Sequence, residues 1–158
     1  MIGPPPSDLE SRIVKKIILA CLLLAARLAV AGLADPPIDA ANGASVQKTE
    51  ATTSSGVPYT DISRTMRGKT QVHEFVDATG TVFAVSWSGP FKPDLQRLLG
   101  RHFSAYQKGE GQHTGNRSRQ RVDTGDMVVV SAGHMGAFEG HAWLPARLPA
   151  GFDPEEMK

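Results

Sequence analysis

Three sets of residues have types that can do chemistry. His134, Glu139 and His141 fall within eight residues of one another, and a cluster of imidazoles and a carboxylate is what a Zn²⁺ site or a neutral-pH acid–base pair requires. Glu139, His141 and Trp143 alternate, so on a strand all three project from one face. The spacing lacks the tight ligand pairs that mark metal sites, so the reading is a polar sheet face first and a metal or catalytic centre second. His73-Glu74-Phe75-Val76-Asp77 looks like a truncated metalloprotease helix motif, but it lies in a predicted strand. There i and i+4 are about 13 Å apart and cannot share an ion. His73 or Glu74 could still approach the second cluster across neighbouring strands.

Ser86, Ser88 and Ser131 are nucleophiles by type only, since none sits in a Gly-x-Ser-x-Gly elbow. Glycines 133, 136 and 140 fit hairpin geometry rather than a phosphate-binding loop. Arg97, Arg101, Lys108, Arg117, Arg119 and Arg121 face a lone Glu110, a local excess of positive charge suited to phosphate-bearing lipid or an acidic partner. Trp143, sharing a face with Glu139 and His141, is the better of two tryptophans for exposed recognition. Trp87 alternates with Phe83 and Val85 and reads as core.

The elements that must position these residues follow from turn chemistry and periodicity. Thr70–Asp77 and Thr81–Ser88 flank Asp77-Ala78-Thr79-Gly80, a hairpin signal. A second hairpin is predicted over Asp126–Ala132 and Ala137–Leu144, turning within Gly133–Gly136. Between them, Leu95, Leu98, Leu99, Phe103 and Tyr106 make one apolar stripe on a helix from Asp94 to Gln107. Tyr59–Arg67 reads as a further strand, Lys108–Gly125 as a loop. The expectation is an α+β fold: an antiparallel sheet of about four to five strands in two hairpins, with one amphipathic helix packed on one face.

Ahead of this domain (59–158) lies a Pro-, Ser- and Thr-rich stretch, 35–58, that reads as a flexible arm, with a weak helical signal over Ala44–Thr52. Ahead of that, Lys15 and Lys16 precede the apolar run Ile17–Ala26, and small residues follow through Ala34. This is the pattern of an export signal over 1–34, cleaved after Ala31 or Ala34. As an uncleaved membrane anchor it would place Arg27 near the bilayer centre, at about 2.5–3.5 kcal/mol. Cys21 follows Lys16 too closely for a lipoprotein signal. It is also the only cysteine, so a chain starting at Asp35 would hold no thiolate site and no disulfide. That chain carries 13 Lys and Arg against 14 Asp and Glu, too even a balance to drive binding to nucleic acid.

The segments Phe83-Ala84-Val85-Ser86-Trp87-Ser88-Gly89-Pro90 and Pro93-Asp94-Leu95 with Leu98-Leu99-Gly100 resemble a family of exported proteobacterial proteins, domain of unknown function 2844. Gly133-His134-Met135, Gly140-His141-Ala142-Trp143-Leu144-Pro145 and Leu148-Pro149-Ala150-Gly151 match it too. The resemblance runs from about Tyr59 to the C-terminus and implies no activity, cofactor or catalytic residue.

The expectation for function is a periplasmic or secreted, non-enzymatic binding module of the cell envelope, without a cofactor or a bound metal. Its recognition residues would be His134, Glu139, His141, Trp143, Arg117, Arg119 and Arg121. Its partner would be an envelope protein, a glycan or an anionic lipid, with membrane contact only through an uncleaved signal. The alternative from another class is a metal-dependent hydrolase using His134, Glu139 and His141; a third is a structural spacer.

Overall fold

A computed structural model describes residues 32–38, 45–66, 68–111 and 119–157. The signal-type segment through Ala31 and the candidate Arg117 lie outside the described residues.

The chain forms one antiparallel sheet of seven strands: β1 (Val46–Thr52), β2 (Pro58–Thr65), β3 (Gln71–Val76), β4 (Val82–Gly89), β5 (Arg119–Asp123), β6 (Val128–His134) and β7 (Ala137–Trp143). Their spatial order is β1-β2-β3-β4-β7-β6-β5. Both predicted hairpins form. At the first, the Asp77 carboxylate accepts the Thr79 and Thr81 backbone N–H groups, an Asx-type turn that sets the β3–β4 connection. At the second, His134 pairs with Ala137 across the turn into β7.

The strand count exceeds the expected four to five because the two sheet edges were invisible to alternation. β1 lies inside the stretch read as a flexible arm and shows no buried residue; β5 lies inside the predicted loop and buries only Val122. Strands with almost nothing to bury carry no apolar period. Both are charged (Lys48 and Glu50 on β1; Arg119, Arg121 and Asp123 on β5), a composition that discourages further strand pairing. The start of the stretch read as an arm, Asp35–Ile38, packs against the main core as well, with Ile38 buried there beside Leu33 from the segment before it.

The helical layer lies between β4 and β5 in sequence. Asp94 caps α1 (Leu95–Leu99) by accepting the Gln96 and Arg97 N–H groups. A single 3₁₀ turn (Gly100–His102) separates α1 from α2 (Phe103–Gly111), so the predicted single helix is broken at Gly100. Leu95, Leu98, Leu99 and Tyr106 of the predicted stripe are buried, and Phe103 packs at the margin. They meet Ile62, Val72, Val85, Trp87, Val122, Val129 and Ala142 on one sheet face. No helix among the described residues is long and apolar enough to cross a membrane.

The other face carries a second, smaller core of Phe75, Phe83, Ala84, Val128 and Trp143. It is covered by the C-terminal segment, with Leu148, Phe152 and Met157 packed on it. Phe83 belongs here and not beside Val85 and Trp87, as alternation predicted. The register slips between Phe75 and Val76, which face Ala84 and Val82, so Phe83 is an extra residue in a β-bulge. That extra residue reverses the alternation.

Inside the main core, Glu74 is fully buried against Arg64 in an ion pair. Glu74 also accepts the Ile38 N–H at 3.0 Å, and Arg64 donates to the Ile38 carbonyl at 2.6 Å. The pair thus holds both backbone groups of Ile38. Burial pushes the Glu74 carboxyl upward, against the opposing effects of that N–H and of Arg64.

Candidate functional site

The C-terminal segment covers only one end of its sheet face. Beyond it, residues in register across the sheet form a polar row: Arg121, Val130, His141, Ser86, His73, Ser63 and Gln47. A second row runs alongside it through Arg119, Ala132, Glu139, Ser88 and Gln71. Strand alternation makes this face possible. The same strands send Val72, Glu74, Val85, Trp87 and Ala142 to the helix side.

One contact across the ladder shapes the site from below. Gly140 stands opposite Trp87, and a Cβ on it would meet the indole Cζ2 at 2.3 Å and the Val130 carbonyl at 2.6 Å. Glycine here lets the Trp87 indole approach the β7 backbone at position 140.

Above it is a cleft of ≈ 420 Å³, with Ser86, Ser88, Arg119, Glu139, His141 and Glu155 among its lining residues. Glu155 comes from the 3₁₀ turn Pro154–Glu156, set by Asp153, whose carboxylate accepts the Glu155 N–H. Its carboxylate lies 3.9 Å from His141 Nε2 and 3.9 Å from the Arg121 guanidinium. The His141 ring stacks on Trp143 at 5.4 Å, and the Arg121 guanidinium sits 5.5 Å from the Trp143 ring centre. Burial holds the His141 pKa below the ordinary value, with Glu155 opposing and Arg121 and Arg119 reinforcing. His141 is therefore a neutral imidazole at pH 7, with one ring nitrogen an acceptor and the other a donor.

Two polar atoms in this cleft are buried and have no hydrogen-bond partner among the described residues: Ser86 Oγ and His141 Nε2. They belong to residues directly opposite each other on β4 and β7. On the other side of Ser86 stands His73, whose Nδ1 contacts both Asp61 carboxylate oxygens at 2.9 and 3.0 Å. That hydrogen bond raises the His73 pKa against the effect of burial. Ser86 thus lies between a histidine biased toward its cation and one held neutral.

The order Asp61, His73, Ser86 has the composition of a hydrolytic triad but not its geometry. Ser86 is only 3 % exposed and makes no bond to His73. β4 is a central strand whose backbone groups serve the ladders to β3 and β7, which leaves no N–H pair for an oxyanion.

The predicted site residues are brought together only in part. His141, Glu139 and Arg119 line the cleft, and Arg121 flanks it. His134 is exposed at the far end of β6, its Nδ1 against the Met135 carbonyl, about four residues along the sheet from His141. No group of three His, Cys, Asp or Glu side chains among the described residues is placed to hold a metal ion. His134, Glu139 and His141 therefore do not make the centre the hydrolase alternative needs. Trp143 is 7 % exposed and belongs to the second core, so it is no platform for a ligand. Glu74 points to the opposite face. Ser86, Ser88 and Glu155 were not selected as site residues. Ser86 is marked only by its register with His141, and Glu155 by the path of the C-terminal segment.

No curated protein and no solved structure matches the chain. A family model does match it, over residues 29–157, described as Protein of unknown function (DUF2844). That span takes in every described strand, both helices, the polar cleft and the C-terminal cover, and the chain belongs to the DUF2844 family.

Proposed function

We propose that this protein is an exported, non-enzymatic binding module of the cell envelope, and that the open polar face over Ser86 and His141 is its recognition surface. One observation carries the reading: two buried polar atoms on facing residues, Ser86 Oγ and His141 Nε2, lack partners among the described residues where those residues line a cleft. Buried polar groups are almost always satisfied, and leaving one unpaired costs about 1–3 kcal/mol. A ligand that supplies a donor and an acceptor to this pair recovers that cost on binding.

The walls suggest which ligand. Arg119 is offset by Glu139 and Glu155, Arg121 is engaged with Trp143 and Glu155, and His141 is neutral. A mixed, nearly balanced rim with serine hydroxyls suits an uncharged, hydroxyl- and amide-bearing group better than an anionic lipid headgroup. Among envelope components this favours a glycan. Export itself rests on the Lys15–Ala34 pattern of charge, apolar core and small residues.

The test is a titration of the ¹⁵N-labelled protein with short N-acetylhexosamine oligosaccharides. The His141 ring nitrogens and the Ser86, Ser88 and Glu139 amides should shift together, and His141→Ala should abolish the response. Shifts confined to the helical layer, or a response unchanged in His141→Ala, would remove this face as the binding surface.

A further inference from the structure

Residues 32–38, the end of the signal-type segment and the start of the stretch read as an arm, pack against the domain. Gly32 and Leu33 are buried, Leu33 completely, and the Leu33 N–H donates to the Leu98 carbonyl at 2.9 Å. That carbonyl is one of those the last turn of α1 leaves open. The Ala34 N–H donates to the Val82 carbonyl and the Val82 N–H to the Asp35 carbonyl, at 2.9 and 3.0 Å. Asp35 pairs with Arg101, and Ile38 is clamped by Arg64 and Glu74. A Cβ on residue 32 would lie 2.6 Å from the Arg97 carbonyl oxygen and 3.1 Å from the Gly100 nitrogen, and its φ is +137°. Position 32 accepts glycine alone, because the segment is pressed against the end of α1.

We infer that the export signal is cleaved between Ala31 and Gly32, and that the freed segment 32–38 is a latch that completes the main core. The inference rests on the export reading above and decides between the two cleavage points it leaves open. Cleavage after Ala31 keeps Leu33 in its slot and satisfies the requirement for small residues at the last and third-last signal positions, Ala31 and Ala29. Cleavage after Ala34 would discard Leu33, empty a fully buried site beside Leu98 and Leu99, and reopen the Leu98 carbonyl.

The step is a peptide hydrolysis by a membrane-bound signal peptidase. Water adds across the Ala31–Gly32 amide, and the C–N bond breaks. The Ala31 carbonyl carbon keeps the hydroxyl oxygen as a carboxylate, and the Gly32 nitrogen becomes an α-ammonium. That ammonium lies beside the Pro36 carbonyl, 3.4 Å from the Gly32 nitrogen, and close to the carbonyl end of α1.

The full chain, expressed with its own signal in an exporting bacterial host, tests this through the intact mass of the recovered protein. A chain beginning at Gly32 is the expected result. Ala31→Gln should accumulate the uncleaved chain, while Ala34→Gln should still be cut to Gly32. A chain beginning at Asp35, with Ala34→Gln blocking the cut, overturns the latch and leaves export standing. A chain retaining Met1 in all three forms overturns both. In the processed protein, Leu33→Ala should lower Tm by about 10 °C. An unchanged Tm would mean the segment is not seated.

Discussion

The two faces of this sheet are built from the same strands and finished in different ways. On one, helices and the 32–38 segment close over Val72, Val85, Trp87, Val129 and Ala142, and even a charged pair, Arg64–Glu74, is packed away. On the other, the C-terminal segment covers Phe75, Phe83 and Trp143 and meets the row of His141, Ser86 and His73 only at its edge, where Glu155 and Met157 line the cleft. The side chains of the first face are held by shape. Those of the polar row are held by a few polar and stacking contacts, His73 by Asp61 and His141 by Trp143 and Glu155.

The largest effect expected on this contrast is at the buried pair. Arg64→Ala strands Glu74 and the Ile38 carbonyl and should cost about 3–5 kcal/mol in urea denaturation. Arg64→Met with Glu74→Leu should recover only part of it, since both Ile38 groups are then unpaired. A loss under about 1 kcal/mol would mean the covered face is less tightly determined than its burial implies. Next comes Gly140→Ala, which forces a methyl into the Trp87 ring and should cost about 1–3 kcal/mol, read by the same denaturation. The two faces meet at that residue, so the variant should weaken ligand binding as well.

A pH series separates the two histidines of the row. The His73 pKa is raised above 6.5, so its stabilising contribution is complete below 6.5 and is lost as pH rises through the raised native value. The His141 pKa is lowered from 6.5. The unfolded chain therefore binds the proton first, and stability falls as pH drops from 6.5 through the lowered native value and is flat above. His73→Asn should remove the loss on the alkaline side, and His141→Asn the loss on the acid side. Equal slopes in both variants would show that the two sites do not differ. The smallest loss is at Ser86→Ala. Its hydroxyl has no partner, so removing it should cost no stability, and should raise it by up to about 1–3 kcal/mol, while ligand response is lost. A large destabilisation would reassign Ser86 to structure.

What could be read from residue order divides along the same line. Local signals were sufficient for the two hairpins, where Asp77–Gly80 and Gly133–Gly136 bear the turn chemistry, and for the Leu95–Tyr106 stripe. The edge strands were not legible, because β1 and β5 bury almost nothing and so lack a period. Nor was the bulge at Phe83, which depends on a partner strand. At the site, alternation correctly placed Glu139, His141 and Trp143 on one face but could not say that Phe152 and Met157 would cover the last of them. The meeting of Ser86 with His141 and His73 is a product of register between strands far apart in the chain. No spacing rule within one segment encodes it.

The placement of the two tryptophans has a practical consequence. Trp87 is the indole of the helix-covered core and Trp143 that of the smaller one, where Arg121 lies over its ring. Each hydrophobic cluster thus carries its own intrinsic fluorophore. Replacing either with phenylalanine leaves a single emitter, whose wavelength during heating tracks when water reaches that cluster. Two traces that superimpose would describe a sheet that melts as one cooperative body; two that separate would reveal which layer lets go first.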